Sequence, residues 1–95
     1  MIPTSKDIIS KVEEVFEVDI ETIQSNSRIR EVTDARKAIT YFLRKYLNMG
    51  SNSISYELNK GHYMVIYYYR EAESLISNER YFKNNINIIK EHLQL

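Results

Sequence analysis

Apolar residues recur, mostly at spacings of three and four, along almost the whole chain. Residues at this spacing lie on one face of an α-helix, so each stripe predicts an amphipathic helix. The stripes are Ile8, Ile9, Val12, Val15 and Phe16; Ile20 and Ile23; Val32, Ala35, Ile39, Phe42, Leu43 and Tyr46; Val65, Tyr68 or Tyr69, Ala72, Leu75 and Ile76; and Phe82, Ile86, Ile89 and Leu93. With one short helix between the third and fourth stripes, they predict an all-α fold of about six helices.

Polar residues mark the ends of the first three predicted helices. Thr4 and Asp7 resemble a capping box with Asp in place of the usual Glu, and Asp19 is placed to cap the second helix. Residues 25–30 are largely polar, which predicts a loop. The third helix is expected from about Glu31 to Asn48, where Asn-Met-Gly provides a stop.

A helix–turn–helix is predicted over residues 54–76. Ser51-Asn52-Ser53 offers N-cap side chains for a short helix, Ile54–Leu58. Asn and Gly tolerate a left-handed backbone, so Asn59-Lys60-Gly61 is predicted to be a turn. The second helix of the pair then runs from His62 to about Ile76.

Length and composition limit the class of protein. The 95 residues, 43% of them apolar, are expected to form one domain over residues 1–95. The absence of cysteine excludes disulfides and thiolate metal sites. The N-terminus lacks the apolar run of a signal peptide, and no stretch approaches the ~20 apolar residues of a membrane span. We expect a soluble cytoplasmic protein without a membrane partner.

The charges are unevenly distributed along a chain whose net charge is zero. Residues 1–27 contain six acidic and two basic residues, whereas residues 28–45 contain six basic and two acidic ones. For a partner that contacts only one face of the protein, the electrostatic potential of that face matters more than the total charge. The middle of the chain is therefore suited to binding phosphate groups. An ordinary solvent-exposed helix face of mixed charge would explain the same residues.

Four segments carry a resemblance to a known family. They are Asp7–Phe16, Ile20–Ser25, the pattern Arg28-x-Arg30-x-Val32-x-x-Ala35-Arg36-Lys37-Ala38, and His62-Tyr63-Met64-Val65-Ile66. From about Thr4 onward the chain resembles the C-terminal DNA-binding domain of the bacterial replication initiator DnaA, as a stand-alone, divergent homologue. The resemblance implies a Trp-repressor-like helical fold, binding to double-stranded DNA, and a role in replication initiation or its regulation.

The resemblance also implies roles for individual residues. In the family, an Arg of the basic loop enters the minor groove, and the signature Gly-Gly-Arg-Asp-His-[Ser/Thr]-Thr-Val-[Leu/Ile] reads the major groove. Arg28 matches that Arg, and His62 matches the signature His if one residue is deleted before it. Asn59-Lys60-Gly61 then replaces Gly-Gly-Arg-Asp, and Tyr63 and Met64 replace the two hydroxyl residues. This broken signature implies altered or weak sequence specificity.

The basic residues near the predicted helix–turn–helix are candidate phosphate ligands. Arg36, which matches the family's helix-three Arg, and Lys37 are expected on the solvent side of the third helix. Lys60 in the turn is suited to a further phosphate. Arg44 and Lys45 are interpreted as surface residues instead.

Aromatic residues give the predicted second helix an outward face. Tyr63 and Tyr67 lie one turn apart, and Arg70 follows one turn later, a set that fits stacking on bases or docking of a protein. Packing of one of the two tyrosines in the core remains an alternative. The complete set of candidate DNA-binding residues is Arg28, Arg30, Arg36, Lys37, Lys60, His62, Tyr63, Met64, Tyr67 and Arg70.

Two functions remain open: a double-stranded DNA-binding module, or a protein-interaction domain on the same scaffold that has lost DNA reading. An enzyme is not expected, because the helical layout assembles no Ser/His/Asp arrangement and no paired carboxylates. No cofactor is expected either, since the phosphate-binding motif Gly-x-x-x-x-Gly-Lys-[Ser/Thr] is absent. His62 and His92 are isolated from each other and from cysteine, so no metal site is predicted.

Overall fold

The computed structural model describes residues 2–95 and contains six α-helices over that range. They are α1 (Ser5–Phe16), α2 (Ile20–Ile23), α3 (Arg30–Leu47), α4 (Ser51–Leu58), α5 (His62–Asn78) and α6 (Arg80–Leu93). The described residues contain no strand, so the all-α prediction is confirmed. None of the helices in this part of the chain has both the length and the apolar character that crossing a membrane requires.

The predicted caps of α1 and α2 are confirmed. The Thr4 hydroxyl accepts from the Asp7 backbone N–H at 3.1 Å, and the Asp7 carboxylate accepts from the Thr4 backbone N–H at 2.9 Å. The Asp19 carboxylate accepts from the Thr22 backbone N–H at 2.9 Å. Because these bonds favour the charged carboxylates, hydrogen bonds from Thr4 and Thr22 lower the pKa of Asp7 and of Asp19.

Two helix boundaries differ from the expectation. Ser51–Ser53 were predicted to cap α4 but form its first turn, and Gly50 occupies the N-cap in an extended conformation without a side-chain cap bond. Glycine is one of the residues preferred at the N-cap of a helix, so Gly50 takes this role in place of the serines. Helix α5 continues past Ile76 to Asn78, whose side-chain amide donates to the Ser74 carbonyl at 3.0 Å and supports the last turn.

Helix α3 lies at the centre of the domain. It packs against α1, α2, α4 and α5, and α6 completes the bundle by packing on α1 and α5. The largest fully buried side chains are Phe42, Phe82, Ile8, Ile23, Ile39, Leu43, Ile54, Leu58 and Ile89. Most of the predicted stripes therefore form this core, and Tyr68 is buried in it while Tyr69 is only partly covered.

Helices α4 and α5 form the predicted helix–turn–helix. Asn59 ends α4 in the left-handed region, at φ 53°, as expected for the turn. Gly61 does not use that freedom: its φ is −68°, and it serves as the N-cap of α5. Ile54 and Leu58 on α4 and Val65 on α5 are all buried. This packing fixes the start of α5 against the rest of the domain.

Candidate nucleic-acid interface

The first two turns of α5 present an apolar face to solvent. Tyr63 is 85% exposed and Tyr67 49% exposed, and Met64 and Ile66 are exposed beside them. The intervening Val65 points into the core. The alternative that one of the two tyrosines packs in the core is therefore wrong. Tyr63, Met64, Ile66 and Tyr67 are called here the apolar face of α5.

A cleft of about 460 Å³ lies on one side of this face, between α3, α5 and the loop before α3. Met64 and Tyr67 line it from α5, and Arg28, Lys37 and Lys60 bring positive charge to it. This loop cleft thus combines aromatic and basic side chains. The roles of the individual cations differ from the prediction.

Arg36 is not on the solvent side of α3, and that expectation is wrong. Its side chain is only 3% exposed. Nε donates to the Ile23 carbonyl, and the two terminal nitrogens donate to the carbonyls of Ser25 and Ser27, each at 2.7 Å. These bonds fasten the loop before α3 to the helix, so Arg36 shapes the loop cleft rather than reaching for phosphate.

Lys60 is also occupied within the protein. Its ammonium group donates to the carbonyls of Gln24 and Ser25 at 2.9 and 2.6 Å. Partial burial, followed by the nearby charge of Arg36, lowers the pKa of Lys60. The turn of the helix–turn–helix is thereby tied to the end of α2, which accounts for a lysine at this position without any ligand.

Arg30 begins α3 and forms two ion pairs. Its guanidinium lies 3.3 Å from the Asp34 carboxylate and 2.7 Å from the Glu79 carboxylate. These carboxylates, Asp34 first, raise the pKa of Arg30. Glu79 also accepts from the backbone N–H groups of Tyr81 and Phe82, so one residue caps α6 and holds Arg30. Much of the charge of Arg30 is compensated internally.

Arg28 is the exposed cation of the loop cleft. Within residues 2–95 its side chain takes part in no hydrogen bond or ion pair of ordinary length. Lys37, by contrast, is only 13% exposed and lies 3.9 Å from Glu71, a weak pairing distance. Of the basic residues predicted from the sequence in this cleft, Arg28 and then Lys37 are best placed to meet an outside anion.

A second cleft of about 320 Å³ lies on the other side of the apolar face. Arg44 of α3, Ser51 of α4 and Ile66 and Arg70 of α5 contribute to this arginine cleft, together with the acidic Glu73. The guanidinium of Arg44 lies over the ring of Tyr69, 5.3 Å from its centroid. The cleft therefore has two exposed arginines on its walls.

Arg44 was interpreted from the sequence as a surface residue, and it is exposed; its place in the wall of the arginine cleft was not predicted. A signal for it exists in the spacing. Lys37 and Arg44 are seven residues apart, which is about two helical turns, so they share one side of α3. That side is the one that α5 packs beside, and it supplies one basic residue to each cleft.

His62 and Arg70 stand at the two ends of the exposed part of α5. His62 is exposed at the first position of the helix, and its ring meets that of Tyr63 edge-on at 5.7 Å. Arg70 follows one turn after Tyr67 and is exposed, but it lines the arginine cleft whereas Tyr67 lines the loop cleft. Beyond Arg70 the helix carries the negatively charged Glu71 and Glu73, which would repel an anionic partner.

Burial of Asp34, the ion-pair partner of Arg30, leads to a prediction about pH. Burial raises the pKa of Asp34 above its ordinary value despite the opposing charge of Arg30. A raised carboxyl pKa means that the charged form destabilises the fold, and this penalty disappears as the pH falls through the folded pKa. Asp34→Asn should therefore unfold at higher urea concentration than the parent at neutral pH, and the difference should shrink on acidification. A difference that grows as the pH falls would contradict this assignment.

These features together define an all-helical helix–turn–helix domain whose second helix is flanked by two basic clefts. The family described as "Bacterial dnaA protein helix-turn-helix" matches residues 5–71, which is more than half of the chain and extends from α1 into α5. The chain belongs to this family.

Several relatives extend the similarity over nearly the whole chain. The chromosomal replication initiator protein DnaA of Flavobacterium psychrophilum is 28% identical over 93 residues, which is 96% of this chain. The DnaA proteins of Thermosipho africanus and Wolbachia pipientis are 31% identical over 87 residues and 28% identical over 88 residues, or 92% of the chain in each case. The chain spans about a fifth of the length of these relatives.

Proposed function

We propose that this chain is a double-stranded DNA-binding module with weak or altered sequence specificity. The observation that carries the proposal is the position of α5, whose exposed first turns stand between the loop cleft and the arginine cleft. A major groove is wide enough for one helix and has a phosphate backbone on each side. A helix flanked by cations on both sides has the complementary shape and charge.

The phosphate contacts are assigned to the cations that remain accessible. Arg28 and Lys37 serve the backbone on the loop-cleft side, and Arg44 and Arg70 serve the other backbone. Arg28 is exposed on a loop, so it is also suited to the adjacent minor groove. Arg36 and Lys60 support the interface by holding the loop in place.

Weak specificity is proposed because the apolar face offers few hydrogen bonds to bases. Residues 62–69 read His-Tyr-Met-Val-Ile-Tyr-Tyr-Tyr and include no Arg, Asn, Gln, Asp or Glu. Those residue types make the bidentate contacts that distinguish base pairs in the major groove. The family membership and the names of the relatives support a role in replication initiation or its regulation.

A protein-interaction domain is the second candidate, and one observation favours it. Four large apolar side chains are exposed side by side at the start of α5, while the net charge of the chain is zero. A contiguous exposed apolar patch is typical of surfaces that contact other proteins. Under this candidate function, the exposed arginines beside α5 would take no part in binding a partner.

A salt titration with random duplex DNA tests the proposal. Three or four phosphate contacts predict a slope of log affinity against log salt of roughly −2.7 to −3.6. Fluorescence anisotropy of a labelled duplex at several salt concentrations measures it. The double variant Arg28→Ala/Arg44→Ala should flatten the slope, whereas Lys83→Ala, an exposed lysine of α6 that lines neither cleft, should not. Absence of binding at low salt would favour the protein-interaction candidate.

A further inference from the structure

We infer that the apolar face of α5 recognises methyl groups at the C5 position of pyrimidines in the major groove. The ligand class is duplex DNA rich in thymine, or cytosine carrying a C5 methyl group. This inference rests on the proposed function and specifies what the exposed face of α5 contacts.

The apolar face has the position that such recognition needs. Tyr63, Met64, Ile66 and Tyr67 occupy the first two turns of α5, all exposed, and the accessible arginines lie to either side rather than among them. Positive charge on both flanks therefore directs a polyanion onto this face. A protein partner would have to supply acidic groups in the same two-sided arrangement.

The chemistry of the groove limits what an apolar face can recognise there. Base edges in the major groove present hydrogen-bond donors and acceptors, and the only apolar group among them is the C5 methyl of thymine. Unmethylated G·C pairs place polar edges against the Met64 side chain and the Tyr63 ring, which leave most of those edges unpaired. Burying polar groups unpaired is unfavourable, so the face discriminates against such duplexes as well as in favour of methyl groups.

The size of the effect follows from the transfer of one methyl-sized group out of water. Each contacted methyl should contribute about fourfold to the affinity, and two contacted methyls about fifteenfold. The exposed side chains span residues 63–67, which is just over one helical turn or about 6 Å along the axis, sufficient for contact with more than one base pair.

Preference for A·T-rich DNA alone would not establish the inference, because the narrow minor groove of such DNA also attracts an arginine such as Arg28. Replacing thymine by uracil removes the methyl and keeps the base pairing. Replacing cytosine by 5-methylcytosine in a G·C-rich duplex adds the methyl without creating an A-tract. The two substitutions therefore separate methyl recognition from groove shape in opposite sequence contexts.

The test measures the affinity of the full chain for four duplexes: A·T-rich with thymine or uracil, and G·C-rich with cytosine or 5-methylcytosine. Binding should weaken about fifteenfold from thymine to uracil and strengthen from cytosine to 5-methylcytosine. Tyr63→Ala should reduce both differences severalfold. Tyr81→Ala removes an exposed tyrosine of α6 that lines neither cleft, and should leave both differences unchanged.

The outcomes separate this inference from the proposed function. Equal affinity for methylated and unmethylated duplexes, with binding retained, overturns methyl recognition and leaves DNA binding intact. No binding to any of the four duplexes at low salt overturns both. Unchanged thermal melting of Tyr63→Ala, expected for so exposed a residue, shows that a lost difference does not arise from unfolding.

Discussion

Replacing Arg36 by Met should lower the free energy of unfolding by about 3 kcal/mol, because it leaves the carbonyls of Ile23 and Ser27 without donors, whereas the Ser25 carbonyl keeps its bond from Lys60. The variant loses the bonds to Ile23, Ser25 and Ser27 while keeping a side chain of similar length. For a domain of this size the melting temperature should fall by about 12–24 °C. Urea and thermal unfolding followed by circular dichroism measure the change.

Two controls make this prediction specific to the loop. Arg44→Met removes an exposed arginine from the same helix, together with its contact over the Tyr69 ring, and should change stability by about 1 kcal/mol or less. Arg36→Lys retains the charge but cannot donate to three diverging carbonyls, so its stability should lie between those of the parent and the Met variant. If Arg36→Met melts like the parent, the bonds to the loop contribute little and Arg36 is available for another role.

Replacing Arg28 by Ala should weaken binding to duplex DNA without affecting stability. Loss of one phosphate contact reduces the affinity about eightfold at about 0.1 M salt and makes the salt slope shallower by about 0.9. The loss should be larger on A·T-rich duplexes if Arg28 enters their narrow, negative minor groove. Anisotropy titrations with A·T-rich and mixed-sequence duplexes measure both effects.

Lys83→Ala is the matched control for Arg28→Ala, since it removes one exposed positive charge from a helix that lines neither cleft. The two variants have the same net charge, so any difference between them reports position rather than total charge. Equal affinities for the two variants would show that Arg28 makes no specific contact with DNA.

Local patterns predicted most of the fold. The helix caps can be predicted from the sequence, because each capping side chain bonds to a backbone group only three residues away. This holds for Thr4, Asp7 and Asp19. The predicted stripes likewise depend only on helical spacing. The end of α5 was placed too early because the side-chain bond from Asn78 to Ser74 extends the helix where the residue types suggest a break.

The roles of the basic residues were harder to predict, because their partners are distant in sequence. Lys60 bonds to a carbonyl 36 residues earlier, and Arg30 pairs with Glu79, 49 residues later. Arg36 is different, since a local signal was present. It lies four residues after Val32 and three before Ile39, at the spacing of the core stripe, which places it on the buried side of α3. Arg36 was predicted on the solvent side because it is charged. The spacing of the apolar residues in α3, taken alone, would have placed it in the interior.

The balance of charge along the chain has a consequence for how the domain would search for a site. Salt screens charge interactions beyond a Debye length of about 10 Å, and the acidic first quarter offsets what attraction of the basic middle remains at such distances. Strongly basic domains stay close to DNA between encounters and slide along it. This one is attracted to DNA only at short range, so it orients as it nears the duplex. Because three or four phosphate contacts hold it, it would leave any one duplex readily as the salt concentration rises.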